Sequence, residues 1–351
     1  MPLKIADYDA EEEFHRNYVG YTEHAAYSTK TFKDMDFPGR MTKDDQLFRF
    51  VDWYNEQDLG RLEPGLFFRD AALETNYSIA EVELLSKISR AVLALTERYC
   101  KKRVGVYFNH QGSVGLFRVV QAIADLTQNE NLSIFEIGPG CGYTGSMISM
   151  AGHTYKSYDV TQGYYIWQSR LMEELFKNEF TEFAVNPEAN FETVTRVAHI
   201  PWWIYMKLYQ NMPVKADVVI SNSNFGEMNL DSLRYVLRAS DLMLRDSGIA
   251  LLLFANPGAC HINSLERIEQ ELDAAGYSSV MSKKVFGFVP HDKKPPANVI
   301  EQLEDGIPLY DPMGLGKTFA IRDFIDFGSA EVADEFYFNA FLHNWPDLSD
   351  I

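Results

Sequence analysis

The chain has 351 residues, of which 46% are hydrophobic and 14% aromatic, a composition that predicts a packed core rather than a disordered chain. Its formal net charge is −18 and its pI is about 4.9. Such a surface repels phosphate backbones and anionic lipids, so we expect neither a nucleic-acid partner nor a membrane partner.

The first 130 residues are predicted to be mostly helical. Ser78 and Glu81 form an S-x-x-E capping box, and apolar residues recur behind it at helical spacing as far as Tyr99. Further helices are expected over residues 115–126 and 44–54. This zone is aromatic and acidic, so we expect residues 1–130 to form a helical subdomain that caps a small-molecule site or serves dimerisation.

From residue 131 to about 290, strand-like and helix-like segments alternate. A helix rich in leucine is expected after residue 222, and Asn263 with Glu266 is expected to cap another. This alternation predicts an α/β fold with a doubly wound, mostly parallel sheet. The expected strands cover residues 132–138, 154–160, 191–200, 216–222 and 248–254.

The C-terminal part opens on a polar segment, PHDKKPP, and ends on an aromatic run, EFYFNAFLH. We expect an insertion over the site at about 290–333 and a final strand in EFYFNAFLH at the sheet edge, so that residues 131–351 form the catalytic domain. The segment DPMGLGKT carries Asp311 where a phosphate-binding P-loop needs its first glycine, so we interpret it as a turn.

The stretch FEIGPGCGYTG (Phe135–Gly145) directly follows the first predicted strand and contains four glycines. Gly140, Gly142 and Gly145 satisfy G-x-G-x-x-G, the pattern of a dinucleotide-binding loop. Counted from Glu136, the same stretch satisfies acidic-x-G-x-G-x-G instead. Glycines at this place let the backbone turn tightly and approach a ligand closely.

The charge of Glu136 separates the two interpretations. A dinucleotide needs its diphosphate cradled by bare amides, and a carboxylate beside the loop repels that diphosphate. Pro139 also removes one amide donor from the loop. S-adenosylmethionine carries a sulfonium and an ammonium, both cationic, so the acid favours this cofactor over a dinucleotide.

Asp159 ends the next predicted strand, nineteen residues after Gly140. A carboxylate at this position accepts hydrogen bonds from both hydroxyls of a ribose. The alternative interpretation is a solvent-facing acid at a strand end.

FEIGPGCGYTG, Asp159 and the segment ADVVISNSNFGEMNLDSLRYVLRASDLMLRDSGIALLLF together resemble class I (Rossmann-like) S-adenosylmethionine-dependent methyltransferases over about residues 110–290. The resemblance implies a seven-stranded sheet whose last strand is antiparallel. It also implies that Glu136 and the glycines hold the methionine end of S-adenosylmethionine, while Asp159 holds its ribose. The glycines concerned are Gly138, Gly140 and Gly142.

The acceptor is indicated only by short blocks. SNSNFGEM is similar to a block of bacterial sugar O-methyltransferases, which implies O-methylation of a small molecule such as a sugar or natural product. The fourth strand lacks the D/N-P-P-Y/F block of enzymes that methylate nucleobase and glutamine nitrogens, although N- or C-methylation of a small molecule stays open. The third-strand segment AHIPWW lacks the acid that often contacts adenine, and the candidate replacements are His199, Ile200 and Trp202.

Methylation of a hydroxyl needs a base within hydrogen-bond reach. Glu227 follows the fourth strand and His261 follows the fifth, so both are candidates for that base. The alternatives are a first-turn acid favoured by a helix dipole for Glu227 and a polar loop residue for His261. His110 is a candidate contact for the cofactor carboxylate, or a helix-capping loop residue. No clustered acids indicate a metal.

Residues that flank these motifs complete the predicted site. We assign Tyr143, Val160, Ser221 and Asn222 to the cofactor site. One or two of six aromatic residues are expected at the substrate cleft, namely Tyr164, Tyr165, Trp167, Trp202, Trp203 and Tyr205.

Two other function classes remain open at this stage. One is an NAD-dependent oxidoreductase that uses the same glycine loop, and the other is a non-catalytic binding module on the same fold. We expect a small-molecule substrate, a homodimer as one possible assembly, and a cytoplasmic location. The location follows from three widely spaced cysteines and an acidic N-terminus without a signal-peptide pattern.

Overall fold

The computed structural model describes residues 3–19, 41–47, 50–51, 76–100, 110–191, 196–222, 224–255, 262–282, 285–305 and 319–320. Within these ranges, helices flank one eight-stranded sheet. A separate two-residue ladder pairs Asn76–Tyr77 with Phe319–Ala320. None of the described helices combines the length and the apolarity that crossing a bilayer requires.

The sheet is mostly parallel. Its strands lie in the order β3-β4-β2-β1-β5-β6-β8-β7, and β8 runs antiparallel to both of its neighbours while the other adjacent pairs are parallel. Apart from the short edge strand β3, this is the seven-stranded sheet with an antiparallel last strand that the sequence resemblance predicts. The strands are β1 (Ser133–Ile137), β2 (Thr154–Asp159), β3 (Phe180–Glu182), β4 (Val197–Pro201), β5 (Val218–Asn222), β6 (Leu251–Ala255), β7 (Tyr277–Ser282) and β8 (Val285–Pro290).

Helices cover both faces of the sheet. The crossovers from β1 to β2 and from β2 to β3 run in one direction across the sheet, whereas the crossover from β5 to β6 runs in the other. Right-handed crossovers therefore place their helices on opposite faces, which makes the sheet doubly wound. The helices are α1 (Ile5–Val19), α2 (Ile79–Cys100), α3 (His110–Thr127), α4 (Tyr143–Met150), α5 (Gln162–Phe176), α6 (Trp202–Leu208), α7 (Leu230–Leu244), α8 (Leu265–Ala274) and α9 (Ala297–Asp305).

The predicted capping box is present at the start of α2. The Ser78 amide donates to Glu81 Oε2 at 2.7 Å, and the Glu81 amide donates to Ser78 Oγ at 3.2 Å. Glu81 also accepts from Arg118 on α3, at 2.5 Å and 2.8 Å. Because this ion pair is buried and bidentate, it fixes α2 against α3.

The N-terminal helices share their core with the sheet. α2 packs on α4 and α5, α3 packs on α4, and α1 packs on α5. One continuous set of buried apolar residues extends from Leu3 to Val299. The division at residue 130 stays a prediction, and the described helices before it are packed directly on α4 and α5.

Several predicted elements shift in the structure. The cap of α8 is Ser264, whose side chain accepts from the Arg267 amide, and Asn263 instead donates to the Phe225 and Met228 carbonyls. Among the described strands, the antiparallel strand is β8, in the interior of the sheet between β6 and β7.

Other boundaries differ by a few residues, and some predictions fall outside the structure. α3 begins five residues earlier than expected, and β4 begins at Val197 within the broader segment 191–200. Within 44–54, residues 44–47 and 50–51 are helical. EFYFNAFLH and DPMGLGKT lie outside the described residues.

Candidate functional site

The glycine loop lies where the strand order of the sheet reverses. β1 has β2 on one side and β5 on the other, so the carboxyl end of β1 opens on the crevice where doubly wound sheets bind ligands. Gly138, Gly140 and Gly142 have φ values of +61°, +58° and +76°. These left-handed conformations disfavour any side chain, which explains three of the glycines through the backbone alone.

Asn224 fastens this loop to the segment after β5. Its Nδ2 donates to the Ile137 carbonyl at 3.0 Å and to the Gly138 carbonyl at 2.7 Å. A Cβ on Gly138 would lie 2.3 Å from Asn224 Oδ1, so this close approach is a second reason for glycine. Asn224 lies within SNSNFGEM, but no sequence pattern marks it as a residue of the site.

Gly140 and Gly145 have different surroundings. A Cβ added to Gly140 would meet nothing within 4 Å, so the loop faces open space there. A Cβ on Gly145 would lie 2.1 Å from the Tyr155 ring, so Gly145 serves the packing of α4 on β2. Since that packing occurs in either interpretation of the motif, Gly145 does not distinguish a dinucleotide from S-adenosylmethionine.

Asp159 ends β2 beside the loop and is buried, with 4% of its surface exposed. Its Oδ1 accepts from the Thr161 amide at 2.8 Å, and its Oδ2 accepts from Gln168 Nε2 at 3.1 Å. Burial raises the pKa of Asp159 to about 7, although these hydrogen bonds act in the opposite direction.

Gln168 is a second residue that sequence reasoning missed. From α5, its Nε2 donates both to Asp159 and to the Gly140 carbonyl, the latter at 2.5 Å. One amide therefore sets the position of the glycine loop relative to the carboxylate assigned to the ribose. A lone glutamine within a helix pattern carries no signal of such a role.

Glu136 lies within β1 and is 1% exposed. Its Oε2 accepts from the Tyr155 hydroxyl at 2.5 Å. Burial, reinforced by the charge of Asp159, raises the pKa of Glu136 to about 7, against the effect of the Tyr155 hydrogen bond. Glu136 and Asp159 thus form a pair of buried carboxyl groups that resist ionising together.

The hydrogen-bond partners of this acidic pair among the described residues are neutral groups. In the described part of the chain, no ion pair reaches Glu136 or Asp159, whose partners are hydroxyl, amide and backbone groups. A cation placed beside the loop favours the ionised form of both groups. The pair therefore suits a cationic ligand and disfavours a diphosphate, which fits S-adenosylmethionine.

α1 covers the crevice on the side of Asp159. The Tyr8 ring stacks on Tyr165 with 4.7 Å between centroids and lies 5.0 Å from the Trp203 ring. Trp202 Nε1 donates to Glu12 Oε1 at 3.1 Å. Burial first, and then neighbouring acids that include Asp159, raise the pKa of Tyr8. The aromatic residues after β2 and β4 thus serve in part to dock this helix.

His199 lies inside β4, opposite Ser157 of β2 and two positions before the strand end. Its ring is 1% exposed, stacks on Tyr165 with 3.8 Å between centroids, and has Nδ1 3.6 Å from Glu182 Oε2. Both ring nitrogens lack a hydrogen-bond partner among the described residues, and the contact of His199 with adenine stays a prediction.

The other predicted cofactor residues lie around the same edge. Ser221, opposite Ile137 in the sheet, is fully buried, and its Oγ has no hydrogen-bond partner among the described residues. Asn222 follows it at the end of β5 and is half-buried. Val160 follows Asp159, and Tyr143 is the first residue of α4.

Glu227 stands at the crevice end of β5. Its amide donates to the Asn224 carbonyl at 3.0 Å, so it belongs to the same turn that holds the glycine loop. The Ile262 amide donates to the Gly226 carbonyl at 3.0 Å, which brings the segment after β6 beside Glu227. His261 lies outside the described residues, and for His110 the structure describes only that its backbone begins α3.

No group of three potential metal ligands occurs among the residues that the structure describes. Cys141, in the glycine loop, is buried and forms no disulfide among the described residues.

Comparison with known proteins adds structural likenesses at low identity. No protein-family model and no curated protein matches the chain. A magnesium protoporphyrin IX methyltransferase from Synechocystis PCC 6803 with bound SAM is 13% identical, with 62% of this chain and 100% of that chain covered and a TM-score of 0.35. A Podospora anserina methyltransferase with bound SAH is 13% identical, with 68% and 97% covered and a TM-score of 0.35.

A TehB-like SAM-dependent methyltransferase from Corynebacterium glutamicum is also 13% identical, with 57% of this chain and 97% of that chain covered and a TM-score of 0.34. The fold itself rests on the strand order and orientations given above, which are those of a class I methyltransferase sheet. The function of the site is inferred from the residues of this chain.

Proposed function

We propose that the protein is an S-adenosylmethionine-dependent methyltransferase that methylates a hydroxyl group of a small molecule. The observation that carries the proposal is the acidic pair of Glu136 and Asp159 beside the left-handed glycine loop. When bound, S-adenosylmethionine supplies an electrophilic methyl carbon. The residues of the chain hold this cofactor, orient it and remove a proton from the acceptor.

Each part of the loop has a distinct task in this proposal. The open space beside Gly140 admits the methionine end of the cofactor, and Glu136 faces its positive charge. Asp159 accepts from the ribose hydroxyls with the lone pairs that Thr161 and Gln168 leave available. Buried carboxylates are strong acceptors in such a site because little water competes for them.

Glu227 is the base in this proposal, with His261 as the alternative base. Glu227 stands at the carboxyl end of β5, and its backbone is held by Asn224, which also holds the glycine loop. A base fixed by the same turn as the cofactor loop keeps the acceptor oxygen in line with the methyl carbon, as displacement requires. A base that removes the hydroxyl proton keeps the methylated oxygen neutral. This role supports O-methylation over the N- and C-methylation alternatives.

An NAD-dependent oxidoreductase is the competing class. Its diphosphate would lie next to two buried carboxyl groups, and Pro139 withholds one loop amide. No described cation neutralises that arrangement. The methyltransferase proposal therefore agrees with the local charge, while the oxidoreductase does not.

The proposal is tested by release of S-adenosylhomocysteine from S-adenosylmethionine in the presence of a panel of hydroxylated small molecules. We expect turnover with at least one acceptor and a fall in kcat of about 100-fold or more in Glu227→Gln or in a His261 variant, with cofactor affinity unchanged. Glu266→Gln, an exposed first-turn acid on α8, is the matched control. Loss of cofactor affinity in Glu227→Gln, with kcat retained, would contradict the role assigned to Glu227.

A further inference from the structure

A cavity whose lining includes cationic side chains lies at the N-terminus of α1, and no residue of the glycine loop lines it. The cavity has a volume of about 290 Å³. Four separate parts of the chain contribute the side chains that matter here, namely Lys4, Thr42, Lys43, Asp44, Tyr99 and Arg170. Apart from Asp44, the charged members of this set are cationic, in a chain whose net charge is −18.

Arg170 is the buried element of the cavity. Its side chain is 4% exposed and lies over the Tyr99 ring, 4.0 Å from the centroid. Its Nη2 contacts Asp44 Oδ1 at 2.7 Å, but its Nε and Nη1 are buried and have no hydrogen-bond partner among the described residues. Since a guanidinium has five donors, one carboxylate contact leaves much of its hydrogen-bonding capacity unmet.

The start of α1 supplies further donors to the same cavity. The first helical hydrogen bond runs from the Tyr8 amide to the Lys4 carbonyl, so the amides of Ile5, Ala6 and Asp7 precede the ladder. In the described part of the chain these three amides have no partner. α1 has 15 residues, so its dipole adds positive potential at this end.

The surrounding charges favour an anion. Lys4 and Lys43 are exposed and form no ion pair among the described residues. Asp44 offsets one cation of the cavity, and Asp7 is an exposed acid in the first turn of α1. Three cationic side chains and a helix N-terminus thus outweigh the acids that face the cavity.

We propose that this cavity binds a phosphate group, either free phosphate or the phosphate of a small phosphorylated metabolite. A guanidinium fork, two ammonium groups and helix amides approach from different directions, which suits the several oxygens of a tetrahedral anion. The volume admits a phosphate with a small organic remainder. The unpaired Arg170 donors become satisfied when the anion enters.

The experiment is equilibrium binding of inorganic phosphate and of glycerol 3-phosphate to the full-length protein by calorimetry, with sodium chloride at matched ionic strength as the reference. The variants are Lys4→Met, Lys43→Met and Arg170→Met. The matched control is Lys294→Met, an exposed lysine outside the cavity. We expect saturable binding to the wild type, Kd raised at least about fivefold in each cavity variant, and no change in the control.

The two probes separate the two sources of the anion. Tighter binding of glycerol 3-phosphate supports a phosphorylated metabolite, and equal or weaker binding supports free phosphate. Absence of saturable binding to the wild type, or equal binding by wild type and by folded Lys4→Met and Lys43→Met, overturns the proposal. Because both lysines are exposed and unpaired, these two variants decide the question even where Arg170→Met does not fold.

Discussion

Replacement of Glu136 by Gln is expected to stabilise the free protein at pH 8 and to weaken its binding of S-adenosylmethionine. The pKa of Glu136 is raised from 4.5 to about 7 because the carboxyl is buried beside Asp159. Between these two pH values the folded state binds a proton that the unfolded state has released. Stability contributed by this group is therefore fully present below pH 4.5 and is lost as the pH rises through 7.

The size of this effect follows from the shift. About 2.5 pH units at ~1.4 kcal/mol per unit correspond to roughly 3–4 kcal/mol as an upper bound. Glu136→Gln keeps an oxygen that accepts from Tyr155 but carries no charge. At pH 8 the free variant is therefore expected to be more stable than the wild type, by up to roughly 3–4 kcal/mol.

The same substitution is expected to weaken the cofactor site. Without the carboxylate, the positive charge of S-adenosylmethionine loses its partner, and we expect Kd to rise about tenfold or more. Urea unfolding from pH 5 to pH 8 measures the stability, and calorimetry at pH 8 measures Kd. A variant that is less stable than the wild type at pH 8 and binds S-adenosylmethionine equally well would refute the reasoning.

The remaining predictions concern the loop and its supports. Asp159→Asn should raise the Kd of S-adenosylhomocysteine about 10- to 100-fold by calorimetry, because charged acceptors of the ribose hydroxyls are lost, and an unchanged Kd would contradict this. Gly138→Ala should lower the free energy of unfolding by at least about 2 kcal/mol in urea, because its Cβ meets Asn224. Gly140→Ala should lower it by about 1 kcal/mol yet raise Kd tenfold, since its Cβ enters open space, and equal behaviour of the two alanine variants in both assays would count against the loop assignment. Asn224→Ala should cost about 1–3 kcal/mol, and full stability in urea would show that its hydrogen bonds are dispensable.

The predictable part of the fold was encoded locally. The capping box of Ser78 and Glu81, the apolar strands and the helix between β5 and β6 follow from short-range patterns, and the structure contains them. The position of the antiparallel strand β8 between β6 and β7 did not follow from local patterns, because this choice of partner is made by packing over the whole sheet. Local sequence patterns do not predict the order in which hydrophobic strands pair.

In the candidate site, too, the residues with local sequence signals could be predicted and those that act through distant contacts could not. The glycine loop, Glu136 and Asp159 could be found because their spacing on successive strands predicts one edge of the sheet. Gln168 and Asn224 could not, because each acts through contacts with carbonyls far away in the chain. For His199, the sequence predicts a position near the strand end, but it does not show that the ring stacks on Tyr165 or that Nδ1 lies near Glu182.

The central claim is that the glycine loop and its acidic pair hold S-adenosylmethionine rather than a dinucleotide. Calorimetric titration of the purified full-length chain at pH 8 with S-adenosylhomocysteine, and in parallel with NAD, tests it most directly. The account predicts micromolar binding of S-adenosylhomocysteine, lost in Asp159→Asn, and no binding of NAD. Binding of NAD by the folded protein, with none of S-adenosylhomocysteine, would contradict it.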